Sequence, residues 1–182
     1  MPDIRFSPEI INRYQFGALC RKLGLLGTAV ELGINRGEFA GHFLAGWGGQ
    51  RYVAVDHYLP YKDMSCARDL DRQLAHASLL RFGSMVEWKE IDTQHALSLE
   101  PEGSLDFVYI DADHTYWAVM QEIGMAWSRV RPGGMLAGHD FAPGLPDVVR
   151  AVKEHSDQAG VTVWLTMDDW EPWSWYCMKP EA

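Results

Sequence analysis

Two apolar, strand-like segments of this sequence are each followed by acidic and imidazole side chains. Asp111 and His114 come just after the first segment, and His139 and Asp140 follow the second, one helix later. Because the carboxyl ends of parallel strands meet at one edge of a sheet, we expect these four side chains to lie close together. Two carboxylates and an imidazole can hold a divalent cation such as Mg²⁺. An imidazole, with an unperturbed pKa of about 6.5, can also take a proton from a hydroxyl at neutral pH.

A structural interpretation of the same residues is also open. Asp113 or His114 could cap the helix that is predicted to begin at Thr115. A lone histidine at a strand end is more often a hydrogen-bonded packing residue than a base. The convergence of several such groups on one predicted sheet edge favours function, and the group comprises Asp111, Asp113, His114, His139 and Asp140.

The elements that must position these side chains alternate between strand-like and helical patterns. Strands are predicted at residues 28–32, 51–56, 85–91, 105–110, 135–138, 161–165 and 173–178, and helices at 37–46, 67–81, 115–130 and 146–160. The short link between the last two strands favours an antiparallel hairpin. The pattern predicts a Rossmann-like, doubly wound α/β fold with a seven-stranded, mostly parallel sheet, an antiparallel last strand and helices on both faces.

The first residues predict a helix that precedes this fold. Ser7, Pro8 and Glu9 are the residue types of a helix start, with a capping serine, a proline at the first helical position and an acid in the first turn. We therefore expect a single domain over residues 1–182, with a leading helix in 1–26 and an α/β core in 27–182. The helix could lie across a sheet edge or cover a ligand site.

An acid and two glycines surround the turn after the first core strand. Glu31 lies at the carboxyl end of the strand, and Gly33 and Gly37 bracket the turn. Glycine reaches positive φ at low cost and lets the backbone approach a ligand closely, and the N–H groups of the following helix point back at the turn. The spacing is not the G-x-G-x-x-G of dinucleotide-binding folds. An ordinary strand–turn–helix connection is the alternative.

Asp56 ends the second core strand, one βαβ unit beyond Gly33. In nucleotide-binding α/β folds, an acid at this point accepts hydrogen bonds from ribose hydroxyls. The alternative is a cap or turn residue. The segment 57–66 follows the same strand end and could form a substrate loop or a connector with aromatic anchors.

The motifs taken together resemble those of the class I S-adenosylmethionine-dependent methyltransferases. The pattern E-x-G-x-x-x-G from Glu31 to Gly37 resembles their motif I. The run from Asp106 to Tyr116, followed by Arg-Pro-Gly-Gly and by Gly-His-Asp-Phe, resembles methyltransferase family 24 and its macrocin O-methyltransferase, rhamnosyl O-methyltransferase and cephalosporin hydroxylase group. The resemblance covers residues 27–141.

The resemblance implies S-adenosylmethionine as cofactor. The residues that it assigns to the cofactor are Glu31, Gly33, Gly37, Asp56, Asp92, Thr93 and Asp111. An acid or hydroxyl side chain commonly contacts the adenine at the position of Asp92 and Thr93, although Asp92 could instead cap a short helix. Asp111 would face both the cofactor and the methyl acceptor.

Catechol-type O-methyltransferases carry an acid at the position of Asp111 and an acid–amide pair at the positions of His139 and Asp140. The resemblance therefore implies Asp111, His139 and Asp140 as metal ligands. This chain departs from the pattern at His139, since imidazole is a poor ligand for Mg²⁺ and suits Mn²⁺ or Zn²⁺ better. His114 stands where those enzymes place a catalytic lysine. His114 and Asp111 are therefore the candidate catalytic residues.

The predicted function is O-methylation of a small-molecule hydroxyl, with Mg²⁺ or Mn²⁺ as a candidate second cofactor. A non-catalytic S-adenosylmethionine- or S-adenosylhomocysteine-binding module and a metal-dependent hydrolase are the alternatives, and the missing G-x-G-x-x-G argues against a nicotinamide-dependent oxidoreductase. The net charge of −9 disfavours nucleic-acid binding. No apolar run is long enough to span a bilayer, and the three widely spaced cysteines indicate free thiols and a cytoplasmic protein. Whether the chain forms a homodimer stays open.

Overall fold

The computed structural model describes residues 2–59, 68–167 and 172–181. The strands in these ranges are β1 (Ile4–Phe6), β2 (Thr28–Leu32), β3 (Arg51–Val55), β4 (Val86–Lys89), β5 (Leu105–Ile110), β6 (Val130–Phe141), β7 (Val163–Leu165) and β8 (Trp173–Met178). The α-helices are α1 (Phe16–Lys22), α2 (Glu38–Trp47), α3 (Arg68–Leu79), α4 (Thr93–Ser98), α5 (Tyr116–Arg129) and α6 (Pro146–Ala159). Two 3₁₀ segments, Arg13–Gln15 and Leu80–Met85, precede α1 and β4.

All eight strands belong to one sheet with the order β1-β7-β8-β6-β5-β2-β3-β4. Strand β8 runs antiparallel to both of its neighbours, and every other pair is parallel. The predicted α/β class, the mostly parallel sheet and the antiparallel last strand are therefore confirmed. The strand number is larger than the predicted seven because β1 adds to the edge beside β7, with Ile4 opposite Val163.

The helix start predicted at Ser7 is wrong. The Ser7 hydroxyl does accept hydrogen bonds from the N–H groups of Glu9 and Ile10, each at 3.1 Å. The turn does not continue, however, because Ser7 is tied to the sheet by its N–H to Leu165 at 2.7 Å and by its hydroxyl to Tyr176 at 2.8 Å. The residues just before this turn form strand β1, and the first α-helix, α1, begins at Phe16.

Apolar clusters cover both faces of the sheet. One cluster joins the sheet to α1, α2 and α3 through Phe16, Phe43 and Leu79, among others. The other cluster joins it to α4, α5 and α6 through side chains such as Ile123 and Val152. Helices on both faces are thus confirmed. The central strand β5 is buried along its whole length, which holds the residues that follow it in a defined position.

Several other expectations concern single residues or segments. No helix within the described ranges is long and apolar enough to cross a membrane. Cys20 and Cys177 are buried free thiols, as their spacing predicted, whereas Cys66 lies outside the described residues. The candidate substrate loop 57–66 is described only as far as Leu59.

A buried histidine between α5 and α6 predicts acid-sensitive stability. The His155 ring packs edge-on against the Trp127 ring, with 4.7 Å between the ring centroids. Burial lowers the pKa of His155 from 6.5 to about 4. The unfolded chain therefore protonates His155 at a higher pH than the folded protein does. As a consequence, the free energy of unfolding falls as the pH drops from 6.5 towards 4. Between pH 7.5 and pH 5 this group should cost about 2 kcal/mol of unfolding free energy. Urea unfolding of the wild type and of His155→Phe at both pH values tests this, and parallel losses in the two proteins would contradict it.

Candidate functional site

The turn after β2 presses directly onto the end of β5. Gly33 has a φ of +90°, and a Cβ built on it would lie 2.0 Å from the backbone oxygen of Asp111. The N–H of Gly33 donates to Val55 O at 2.9 Å, and the N–H of Asp111 donates to Leu32 O at 2.8 Å. The first glycine of the predicted motif therefore joins the ends of three parallel strands.

The second glycine, Gly37, is the N-cap of α2 and has a left-handed φ of +76°. Its own atoms do not line the cleft described below, but its neighbours Arg36 and Glu38 do. A Cβ at Gly37 would lie 2.7 Å from the Ser78 hydroxyl oxygen, so this glycine also permits close packing of α2 against α3. The first N–H groups of α2, which follow Gly37, have no acceptor within the helix.

Glu31 is buried at the bottom of the turn, with 2% of its surface exposed. The Tyr52 hydroxyl donates a hydrogen bond to its carboxyl group. Burial raises the pKa of Glu31 well above the ordinary 4.5, an effect that the Tyr52 hydrogen bond only partly offsets. Burial of Glu31 therefore favours the protonated form of its carboxyl group, and the Tyr52 hydroxyl favours the ionised form.

Asp56 lies at the carboxyl end of β3 with several partners already in place. Its Oδ1 accepts from the N–H of Tyr58 at 2.8 Å, and its Oδ2 accepts from the N–H of Asn35 at 3.0 Å and from Arg68 at 2.7 Å. A carboxylate offers about four acceptor positions. Donors from the described ranges 2–59, 68–167 and 172–181 therefore leave one of these positions open, and a second added donor would have to displace Arg68.

A cleft of about 600 Å³ opens along these strand ends. The predicted site residues that line it are Glu31, Gly33, Asp56, Asp111, His114, His139 and Asp140. Arg13, from the segment before α1, also lines the cleft, and its guanidinium lies 3.7 Å from Asp111 Oδ2. The leading segment therefore contributes a wall of the cleft. Sequence reasoning missed Arg13, since no local pattern distinguishes it from other surface arginines.

Two histidines bracket Asp140 at one end of the cleft. His114 Nε2 lies 2.7 Å from Asp140 Oδ2, and His139 Nδ1 lies 3.1 Å from Asp140 Oδ1. Burial opposes ionisation of Asp140, but hydrogen bonds from both histidines outweigh it and hold its pKa below the ordinary value. The Asp140 bond in turn raises the pKa of His114. The fold thus brings these residues together as predicted.

Asp111 completes this group from the end of β5. Its Oδ1 lies 4.0 Å from His139 Nδ1. Burial raises the pKa of Asp111 to about 6, and the nearby His139 opposes that rise. One ligand atom from each of Asp111, His139 and Asp140 lies within 4.8 Å of the other two. This spacing fits a single cation, and the mixed oxygen and nitrogen donors suit Mn²⁺ or Zn²⁺.

A smaller cavity of about 160 Å³ adjoins the cleft and contains the predicted adenine residues Asp92 and Thr93. Asp92 is also the N-cap of α4, since its Oδ1 accepts from Gln94 N at 2.9 Å and from His95 N at 3.2 Å. The Thr93 hydroxyl donates to Glu122 Oε1 at 2.6 Å. Glu122 also lines this cavity and was missed, because its place in a helical pattern predicts only a solvated face.

Comparisons with known proteins give a family and a fold. A family model described as a methyltransferase domain matches residues 30–141. The O-methyltransferase from Bacillus cereus, solved in complex with SAH, is 15% identical over 96% of this chain and 84% of that chain, with a TM-score of 0.65. TomG from Streptomyces achromogenes, an O-methyltransferase involved in tomaymycin synthesis and solved with SAM, is 15% identical over 92% and 79%, with a TM-score of 0.64.

A third solved structure, the cofactor-bound protein Rv0187 from MTB, is 20% identical over 93% of this chain and 80% of that chain, with a TM-score of 0.67. At these identities the likeness demonstrates a shared fold. Comparison with curated protein sequences gives no match.

Proposed function

This chain belongs to the methyltransferase domain family, and on that premise we propose that it transfers a methyl group from S-adenosylmethionine to the hydroxyl group of a small molecule. The observation that carries the proposal is the continuity of the site. One cleft contains the Gly33 turn, the Asp56 carboxylate and the Asp111–His114–His139–Asp140 group. The residues that we propose for cofactor binding and for proton transfer therefore line a common space.

The residues present fit the cofactor. Gly33 has no side chain, so its backbone lines the cleft directly. Among the described residues three donors occupy Asp56, which leaves an acceptor position for a ribose hydroxyl. Glu31 lines the same cleft and would act near the amino end of the methionine part. When bound, S-adenosylmethionine supplies a methyl group on a positively charged sulfur. The carboxylates of Asp111 and Asp140 favour positive charge in this region.

His114 is the proposed base. Its side chain is partly exposed towards the cleft and is oriented by the bond from Nε2 to Asp140. In its neutral form it would take the proton that the acceptor hydroxyl loses, and Asp140 would stabilise the resulting imidazolium. General bases of this kind contribute rate factors of about 10²–10⁴. Asp111, in the same cluster of side chains, would help to orient the acceptor.

A divalent cation at Asp111, His139 and Asp140 is a second part of the proposal. The spacing of the three ligand atoms supports it. A bound cation would lower the pKa of a hydroxyl that coordinates it. The same cation would compete with His114 for Asp140, so metal binding and the His114–Asp140 bond are coupled.

The alternatives make different predictions about ligands. A metal-dependent hydrolase needs tight metal binding and leaves the Gly33 turn without a ligand. A non-catalytic binding module retains the cofactor but needs no base, so it predicts cofactor binding without methyl transfer to any acceptor. The methyltransferase proposal accounts for the turn, for Asp56 and for the histidine pair together.

The proposal predicts that the purified protein binds S-adenosylhomocysteine and S-adenosylmethionine with micromolar affinity in calorimetric titration. His114→Ala should retain that affinity within about threefold, since its proposed role is proton transfer and not cofactor binding. Parallel titrations with Mn²⁺, Zn²⁺ and Mg²⁺, on the wild type and on Asp111→Asn, test the cation site. Absence of nucleoside binding under all of these conditions would contradict the proposed function.

A further inference from the structure

The smaller cavity is joined to the main cleft at the strand ends. Gly33, Asp56 and Ala112 line both spaces. Thr93 and Glu122 line the smaller space and not the larger one. A ligand that extends from the cleft past Asp56 therefore enters a polar cavity whose walls include the side chains of α4 and α5.

Glu122 has a carboxylate oxygen in this region for which no described residue provides a partner. The residue is 2% exposed, and its Oε1 accepts the hydrogen bond from Thr93. Its Oε2 is buried and has no hydrogen-bond partner within residues 2–59, 68–167 and 172–181. A buried polar atom without a partner is costly, and such atoms are rare in folded proteins. The second partner of Glu122 is therefore expected to come from a ligand.

The groups around the cavity select for a hydrogen-bond donor. Asp56, Asp92, Asp113 and Glu122 line it as acids, and His57 is the only titratable residue among the described lining residues that is not an acid. Burial raises the pKa of Glu122 to about 7, an effect that Thr93 partly offsets. In the ionised form Oε2 accepts a hydrogen bond, and the Thr93 bond to Oε1 favours that form. A ligand edge that offers N–H groups is complementary to this surface, whereas an edge without them leaves Oε2 unpaired.

We propose that Glu122 is a specificity-determining residue of the nucleoside site and that it accepts, through Oε2, a hydrogen bond from the 6-amino group of a purine. The inference rests on the proposed function, which supplies the adenosine-containing ligand. Thr93 acts as a positioning residue because its hydroxyl holds the other carboxylate oxygen. Small side chains at Ala112 and Ala118 leave room for a flat ring beside this acid.

The test combines a change in the ligand with a change in the protein. Calorimetric dissociation constants are measured for S-adenosylhomocysteine and for its analogue with hydrogen in place of the 6-amino group. The proteins are the wild type, Glu122→Met, which has a similar length but no acceptor, and Glu122→Gln, which retains a carbonyl oxygen. Such a cycle isolates the pairwise contact from general effects on the fold.

The wild type should bind S-adenosylhomocysteine about tenfold more tightly than the analogue, as expected for one buried hydrogen bond. Glu122→Met should lose this preference, and Glu122→Gln should retain most of it. Equal affinity of the wild type for both ligands would overturn the inference, whatever the variants do. A preference that persists in a folded Glu122→Met protein would also overturn it, and Glu122 would then have a purely structural role. A wild type that binds neither ligand would contradict the proposed function, which is a distinct result.

Discussion

Replacing Gly33 with alanine is expected to destabilise the protein by about 3–5 kcal/mol, or about 10 °C or more in melting temperature. The new Cβ would lie 2.0 Å from the backbone oxygen of Asp111, and the φ of +90° is unfavourable for any other residue. Neither strand end can yield easily, because β2 and β5 pair along their length in the centre of the sheet. The expected result is a large fall in stability together with loss of nucleoside binding.

Two other glycines provide matched controls for this experiment. Gly160 has a φ of +65° but no atom within 4 Å of a built Cβ, so Gly160→Ala reports the backbone strain alone and should cost about 1 kcal/mol. Gly124 lies in α5 with neither strain nor contact, and Gly124→Ala should stabilise the protein by about 0.5–1 kcal/mol. Thermal and urea unfolding measure all three variants. A Gly33→Ala protein no less stable than Gly160→Ala would refute the close approach of the turn to Asp111.

Asp56→Ala is expected to weaken the binding of S-adenosylhomocysteine about 100-fold, because a charge-assisted hydrogen bond to a ribose hydroxyl contributes roughly 1.5–3 kcal/mol. The substitution also removes the acceptor that orders Asn35 and Tyr58 around the turn. Asp56→Asn retains one acceptor oxygen and should lose less, about tenfold. Calorimetric titration at fixed ionic strength gives the three dissociation constants.

Arg68 requires a separate control in this series. It is buried beside Asp56, and Asp56→Ala leaves its guanidinium without that carboxylate. Melting temperatures therefore accompany each titration, and Asp69→Ala removes an exposed acid of the same helix α3 without touching the cleft. Asp69→Ala should bind like the wild type. Full affinity in a folded Asp56→Ala protein would exclude Asp56 as the ribose acceptor.

The long elements of the fold were predictable from local patterns. Strands β2, β3 and β5 and helices α2, α5 and α6 each contain enough residues for an apolar period to be recognised, and their bounds agree with the prediction within a few residues. Strand β1 has only three residues, which is too short for a period, and the capping residue types at Ser7 are equally suited to the isolated turn that forms. Tertiary pairing of β1 with β7 decided that segment.

Part of the candidate site was likewise predictable from the sequence, and part depends on tertiary packing. Sequence alone could predict the proximity of Asp111, His139 and Asp140, because adjacent parallel strands end at the same edge of a sheet. The structure confirms that β5 and β6 are adjacent. The bond between His114 and Asp140, the approach of Arg13 to Asp111 and the pairing of Arg68 with Asp56 depend on how loops and helices pack onto that edge. No spacing along the chain encodes those distances.

The sequence by itself determined the fold class, the glycine turn and the set of acids and histidines at the strand ends, because strand and turn chemistry act over a few neighbouring residues. Only the tertiary structure decided which of these groups are already paired and which buried atoms lack a partner among the described residues. Glu122 is the clearest case, since its Oε2, which lacks a partner in the part of the chain that the structure describes, lies where α5 packs beside the start of α4. Burial and the partners of a polar group are properties of the packed chain, and they appear only when distant segments meet.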